Sequence, residues 1–325
     1  MIQLAEMKQT LPIELHGGER STTTQVWEML TASRDGNLDR IRSLIESCPA
    51  LSTCQYNYTP PLHFAVREGH LPVVRQLVRL GGLDPTYKTY PFLDLLVTIA
   101  DERGHAEIAR FLQESLDTPG VPQIKGDTGA IDFGLDETTV RFQKAVNQNK
   151  LGEVRRLLNE HPELTKNELT SWGEGILAMP ANRRNRQMLE LLMQHGARVP
   201  DVTKWGRAYY FKHYDIGEFL LKNGMNPNHL SWQNVTLLHD MAQEGDIPKA
   251  RLLLDHGAEM NAIDDEYQST PLGVAVRWGN REMVMFLLEH GADPNEAGAE
   301  WSTPLAWAHR KGHSEIEDDL KRAGA

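Results

Sequence analysis

Thirteen histidines in 325 residues are enough imidazole for a metal centre or an acid–base site, because that ring ligates metals and titrates near neutrality. Their positions point elsewhere. His195, His256 and His290 each precede a glycine that ends an apolar helical stretch, where an imidazole can cap open carbonyls. His70, His105 and His313 each follow a glycine of a recurring pattern. The chain has no HExxH, no cysteine-rich clip, no phosphate-binding loop, no GxSxG and no dinucleotide fingerprint. The adjacent carboxylates Asp264 and Asp265 fall in a connecting segment, which they are expected to solvate. Cys48 and Cys54 lack the short spacing of a zinc clip and read as isolated structural thiols. The expectation is no enzyme, no metal and no cofactor.

Composition narrows the classes further. The chain is 40% hydrophobic and 24% charged, ordinary for a soluble globular protein, and its formal charge is −11. That sign disfavours a general nucleic-acid binder, which needs a basic footprint. No apolar run is long enough to span a bilayer. The opening stretch MIQLAEMKQTLPIELHGGER has neither a basic start nor a continuous apolar core, so no signal peptide is expected. NYT at Asn57 and NVT at Asn234 match the glycosylation pattern, which means little without secretion. A cytoplasmic location follows as the expectation.

The elements that place these residues are written as a repeat. STPLGVAVRWGN begins at Ser269 and STPLAWAHRKGH at Ser302, 33 residues later. Carried backwards, the frame starts at Thr303, Thr270, Thr236, Thr203, Gly175, Val140, Leu95, Pro60 and Trp27. Seventeen residues after each start stands a leucine without exception: Leu44, Leu77, Leu112, Leu157, Leu192, Leu220, Leu253, Leu287 and Leu320. A glycine closes the first helix in six repeats, where a left-handed cap is easily adopted. The second helix carries apolar residues at helical spacing, as in Met283, Val284, Leu287 and Leu288.

TPPLHFAVREGHLPVVRQLV at Thr59, TLLHDMAQEGD at Thr236, HGADPN at His290 and TPLAWAHRKGH at Thr303 resemble the ankyrin repeat. The resemblance implies an all-α solenoid of stacked helix-turn-helix units with β-turn fingers, each unit burying its apolar faces against the next. It also implies that His63 and His239, three residues after a start, sit in a hydrogen-bonded turn. It divides the chain into an N-terminal segment (1–21), repeats one to three (22–115), a linker or long loop (116–138) and repeats four to nine (139–325).

The register slips twice. A 45-residue interval between Leu95 and Val140 holds the Gly-, Pro- and Asp-rich linker. A 28-residue interval between Gly175 and Thr203 leaves no room for an ordinary finger. The two repeats there replace the closing glycine by Arg184 and Lys212 and put Pro180 at a small-residue position, so their helix ends are expected to differ.

As a family, ankyrin repeats bind proteins through the fingers and through the residue pair before the closing glycine on the concave side. In the later repeats that pair becomes aromatic and basic: Arg183, Tyr210, Phe211, Arg277 and Trp278. Trp232, Tyr267 and Trp301 lie two to four residues before successive starts. Tyr210, Phe211 and Trp278 are therefore expected as anchors, Arg183 and Arg277 as charge partners, and Trp232, Tyr267 and Trp301 as finger contacts. Trp205 and Trp307 read as packing, and Tyr209 and Tyr214 as filling for the missing finger. Between Gly175 and Asn228 eight basic residues face four acidic ones, which favours an acidic protein or peptide partner. The alternatives are a single-stranded nucleic acid or polyanion stacked on the same aromatics, and a passive scaffold without a specialised groove.

Overall fold

Five frame starts are helix N-caps in the computed structural model, which describes residues 1–89, 92–126 and 128–325. They are Pro60, Leu95, Thr236, Thr270 and Thr303. The threonine hydroxyls accept the N–H of the third helical residue: His239 at 3.3 Å, and Gly273 and Ala306 at 3.2 Å. Proline at the first helical position, as in Pro271 and Pro304, loses nothing there because its missing N–H has no intrahelical partner. The starts at Trp27 and Val140 behave differently. Their helices begin four and three residues earlier, at Thr23 and Glu137, capped by Thr22 and Asp136. Each opening repeat thus carries one extra helical turn.

The chain divides into two compact units, one of residues Glu6–Gly134 and one of Leu135–Ala325 together with Met1–Ala5. The first holds three helix pairs: Thr23–Arg34 with Leu38–Ser47, Pro61–Arg67 with Leu71–Arg79, and Leu96–Glu102 with Ala106–Asp117. Its small sheet has Pro12–Glu14 in the middle, antiparallel to Arg20–Thr22 on one side and Ala130–Ile131 on the other. The segment read as a linker therefore supplies a strand. It also runs along the repeats, with the Ile124 N–H on the Gly81 carbonyl at 3.1 Å and the Tyr58 N–H on Thr128 Oγ1 at 3.2 Å. Asp127 of that segment lies outside the described residues, as do Tyr90 and Pro91.

The second unit holds six pairs: Glu137–Asn147 with Leu151–Glu160, Ala178–Asn182 with Arg186–Gln194, Gly206–Tyr209 with Tyr214–Lys222, Leu237–Glu244 with Ile247–Asp255, Pro271–Arg277 with Arg281–Glu289, and Pro304–Lys311 with Ser314–Arg322. Where the interval shrinks, Val202–Thr203 pairs in parallel with Leu230–Ser231, so the shortened connection becomes a strand of the next finger. Ile2 closes this unit from far along the chain, donating its N–H to the Trp232 carbonyl at 2.7 Å while Leu4 is buried.

The leucines seventeen residues after each start are buried in every repeat. Full burial of such a side chain contributes about 2 kcal/mol, so these positions specify the stacking. The imidazoles after the closing position stitch neighbours together. Nε2 of His70 donates to the Arg34 carbonyl at 2.7 Å, that of His105 to Arg67 at 3.1 Å, and that of His213 to Asn182 at 2.9 Å. Asn280 does the same with its amide, to Gln243 at 2.7 Å.

Arg184 overturns one expectation. It occupies the closing position in the left-handed conformation, φ +56°, despite its Cβ. Its Nε donates to Asp215 Oδ2 at 2.9 Å and its backbone follows the glycine repeats. Lys212 does not enter that region, because its helix has already ended at Tyr209.

Candidate functional site

The histidines at the repeat positions are parts of the scaffold. Nδ1 of His195, His256 and His290 donates to the carbonyl four residues earlier, at 2.9, 2.9 and 2.7 Å. In His239, Nδ1 accepts the Thr236 N–H at 3.2 Å and Nε2 donates to the Ser269 carbonyl at 3.0 Å. This fixes the neutral tautomer, and burial holds the ring down to about pKa 4. His63 contacts the Tyr87 hydroxyl through Nδ1 at 3.2 Å. Among the described residues no three His, Cys, Asp or Glu side chains could hold a metal ion.

Asp264 does not solvate its finger. It is buried, and its carboxylate accepts the N–H groups of Tyr267 at 2.6 Å and Ser269 at 3.1 Å. One residue on, Asp265 receives the Asn234 amide at 3.4 Å, so that glycosylation-type asparagine is already engaged. Asn57, in the other such triplet, is buried at φ +49°.

Five expected contact residues are interior: Tyr210, Phe211, Trp232, Tyr267 and Arg277. Tyr210 and Phe211 are buried because the first helix of their repeat, Gly206–Tyr209, has only four residues. Beyond it Tyr210 turns inward and donates its hydroxyl to the Glu174 carbonyl. Burial raises its pKa well above the usual phenol value. Phe211 lies over Gly217, where a Cβ would come within 2.8 Å of the ring. Trp232 and Tyr267 are also buried, bracing their fingers rather than facing solvent. Tyr214 is exposed instead of filling space, and Trp205 is half-buried.

Arg277, Trp278 and Trp301 belong to one layer in repeats eight and nine. The Arg277 guanidinium is buried with its carbon 4.1 Å from the Tyr267 ring centre, 4.2 Å from Trp278 and 5.3 Å from Trp307. Such stacking holds a desolvated cation by the ring quadrupoles. Trp307 is fully buried and donates Nε1–H to Ser269 Oγ at 2.8 Å. Trp301 meets Trp307 edge-on at 5.9 Å, and Arg310 lies over Trp307 at 4.8 Å. Trp278 and Trp301 remain half-buried, so two indoles edge an arginine-filled floor.

The basic centre is largely neutralised. Arg184, Arg186, Lys204, Arg207 and Lys222 meet Asp215, Glu190, Glu174, Glu244 and Glu218. Arg183 stays exposed and reaches the Asn147 carbonyl. Arg198 and Lys212 are exposed without a carboxylate partner among the described residues.

One aromatic escaped the sequence reading. Trp172 stands three residues before the Gly175 start, the offset of Tyr267, and the same finger rule would have found it. It is 58% exposed. Its turn, Thr170–Gly173, has Ser171 at φ +54°, Trp172 at +61° and Gly173 at +82°. A left-handed conformation costs a non-glycine residue about 1–2 kcal/mol.

A family model described as "Ankyrin repeats (3 copies)" matches residues 205–297 and 238–320, and one described as "Ankyrin repeat" matches 58–90. The chain carries ankyrin repeats. Neither match reaches repeats one, three, four or five. The ankyrin stretch is similar to human transient receptor potential cation channel subfamily A member 1, 22% identical over 85% of this chain and 28% of that protein. Mouse 2-5A-dependent ribonuclease is 41% identical over 19% of this chain and 9% of its own length. Human ARF GTPase-activating protein GIT1 is 32% identical over 26% and 11%. The chain thus spans less than a third of the length of these relatives. No helix among the described residues is long and apolar enough to cross a membrane.

Proposed function

We propose that this chain is a non-enzymatic protein-binding module that docks its partner on the fingers and concave edge of the later repeats. Ankyrin repeats are in general protein–protein interaction modules. The observation that carries the reading here is the half-exposed pair Trp278 and Trp301 at the rim of the Arg277 stack. Tryptophan and arginine dominate binding hot spots because they offer a large area at low entropic cost. Arg183 adds an exposed cation. An acidic partner surface fits these groups, and the two unpaired cysteines accord with a cytoplasmic setting.

Tyr210, Phe211, Trp232 and Tyr267 act in this reading as supports for the surface. The test is affinity capture with the intact chain against a Trp278→Ala, Trp301→Ala variant, with thermal melts of both. Loss of one retained protein at an unchanged Tm supports the reading. Retention of every captured protein by the variant defeats it.

A further inference from the structure

The turn at Trp172 is clamped from both neighbouring repeats. Gln143 Oε1 accepts the Ser171 N–H at 3.0 Å, and the Lys204 ammonium donates to the Trp172 carbonyl. The Glu174 carboxylate accepts the N–H groups of Lys204 and Trp205 at 2.9 and 3.2 Å. Inside the turn the Ser171 hydroxyl is buried without a hydrogen-bond partner among the described residues. Strained conformations persist where surroundings over-determine them, and they gather at ligand clamps. What this one holds out is an indole with no ring or cation contact among the described residues. An aromatic fixed in advance loses little freedom when a partner covers it.

Cations lie alongside. The helix Glu137–Asn147 gives its Gln143 side chain to the turn and, four residues on, its Asn147 carbonyl to the Arg183 guanidinium. Four residues are about one helical turn, roughly 6 Å of rise. Lys144, the residue after Gln143 on that helix, is exposed. Neither Lys144 nor Arg183 meets a carboxylate among the described residues.

We propose that Trp172, Lys144 and Arg183 form a docking strip for an acidic peptide segment, with an apolar side chain on the indole and carboxylates on the two cations. The strip rests on the protein-binding reading above and shares its Arg183, but uses Trp172 of the fifth repeat's finger instead of the Trp278 and Trp301 pair of repeats eight and nine. A short peptide suits it better than a long polyanion, which the surrounding net charge of −11 would repel.

The test pans a displayed random dodecapeptide library against the intact chain, then titrates selected peptides, fluorescein-labelled, by polarisation. The expected peptides carry Asp or Glu near an aromatic or aliphatic residue. Trp172→Gly should weaken them at least ~10-fold, while its Tm holds or rises because glycine adopts φ +61° freely. Lys144→Glu with Arg183→Glu should weaken them comparably, and Trp278→Ala with Trp301→Ala should leave them unchanged. The proposal fails if no acidic peptide is enriched, if Trp172→Gly binds as wild type, or if that variant melts lower. It fails equally if twelve-residue oligothymidylate competes as well as the peptides. Peptides lost only with Trp278 and Trp301 would overturn this strip and leave the earlier reading standing.

Discussion

The imidazole of His70 lies against Gly36, and its Nε2 donates to the Arg34 carbonyl at 2.7 Å. The glycine has two reasons to be a glycine: φ is +71°, and a Cβ would come within 2.6 Å of His70 Nδ1. Gly312 has φ +72° with nothing within 4 Å, so only the first reason applies. Gly312→Ala should cost about 1 kcal/mol and Gly36→Ala about 3 kcal/mol. Urea unfolding, read in the transition of each compact unit, checks this; equal losses would remove the ring contact from the account.

Acid should weaken the second unit. Burial holds His229 and His239 down to about 4, against 6.5 in an unfolded chain. The unfolded state therefore binds more protons between those values, and stability is lost as pH falls from 6.5 towards 4. Each imidazole is expected to contribute up to about 3 kcal/mol to that loss. A Tm–pH profile of wild type against His239→Gln should show a shallower slope for the variant.

Asp240 acts in the opposite sense. Burial, with Glu244 nearby, raises its carboxyl to about 7, and Arg207 only partly offsets this. The folded state holds that proton more tightly, so this group's contribution falls as pH rises from about 4 to 7. Asp240→Asn should raise the Tm at pH 8 and leave it nearly unchanged at pH 4. No gain at pH 8 would mean that the ionised carboxylate is well accommodated.

Asp264 should matter more than an exposed finger carboxylate. Asp264→Ala leaves the buried N–H groups of Tyr267 and Ser269 without their acceptor, a loss of about 2 kcal/mol. Near-ultraviolet circular dichroism should change with it, because Tyr267 packs edge-on against Trp278 and Trp307 at 5.7 and 5.9 Å. A variant as stable as wild type would return Asp264 to solvent.

The stacking frame was legible because it is local and periodic: Leu287 and Leu320 recur at one offset, and Thr270 and Thr303 cap by their own chemistry. The candidate surface was less so. Exposure depends on where a helix stops, and Gly206–Tyr209 stops a turn early, which sends Tyr210 and Phe211 inside. Cation–π layers also hide in sequence, since Arg277 reads as a surface charge until three rings are folded round it. Trp172 obeyed the finger rule yet was missed because its repeat starts with a glycine rather than a threonine.

Helix pairs that touch only their neighbours can assemble in the order in which they are made. Residues 1–5 cannot. Ile2 donates to a carbonyl at residue 232 and so must wait for 230 further residues to be translated, roughly 10–50 s at cellular rates. Leu4, interior in the finished molecule, cannot take up its final packing before then. Its disappearance from solvent is a clock signal: it marks the moment when the finger before the seventh repeat has left the ribosome and taken its place.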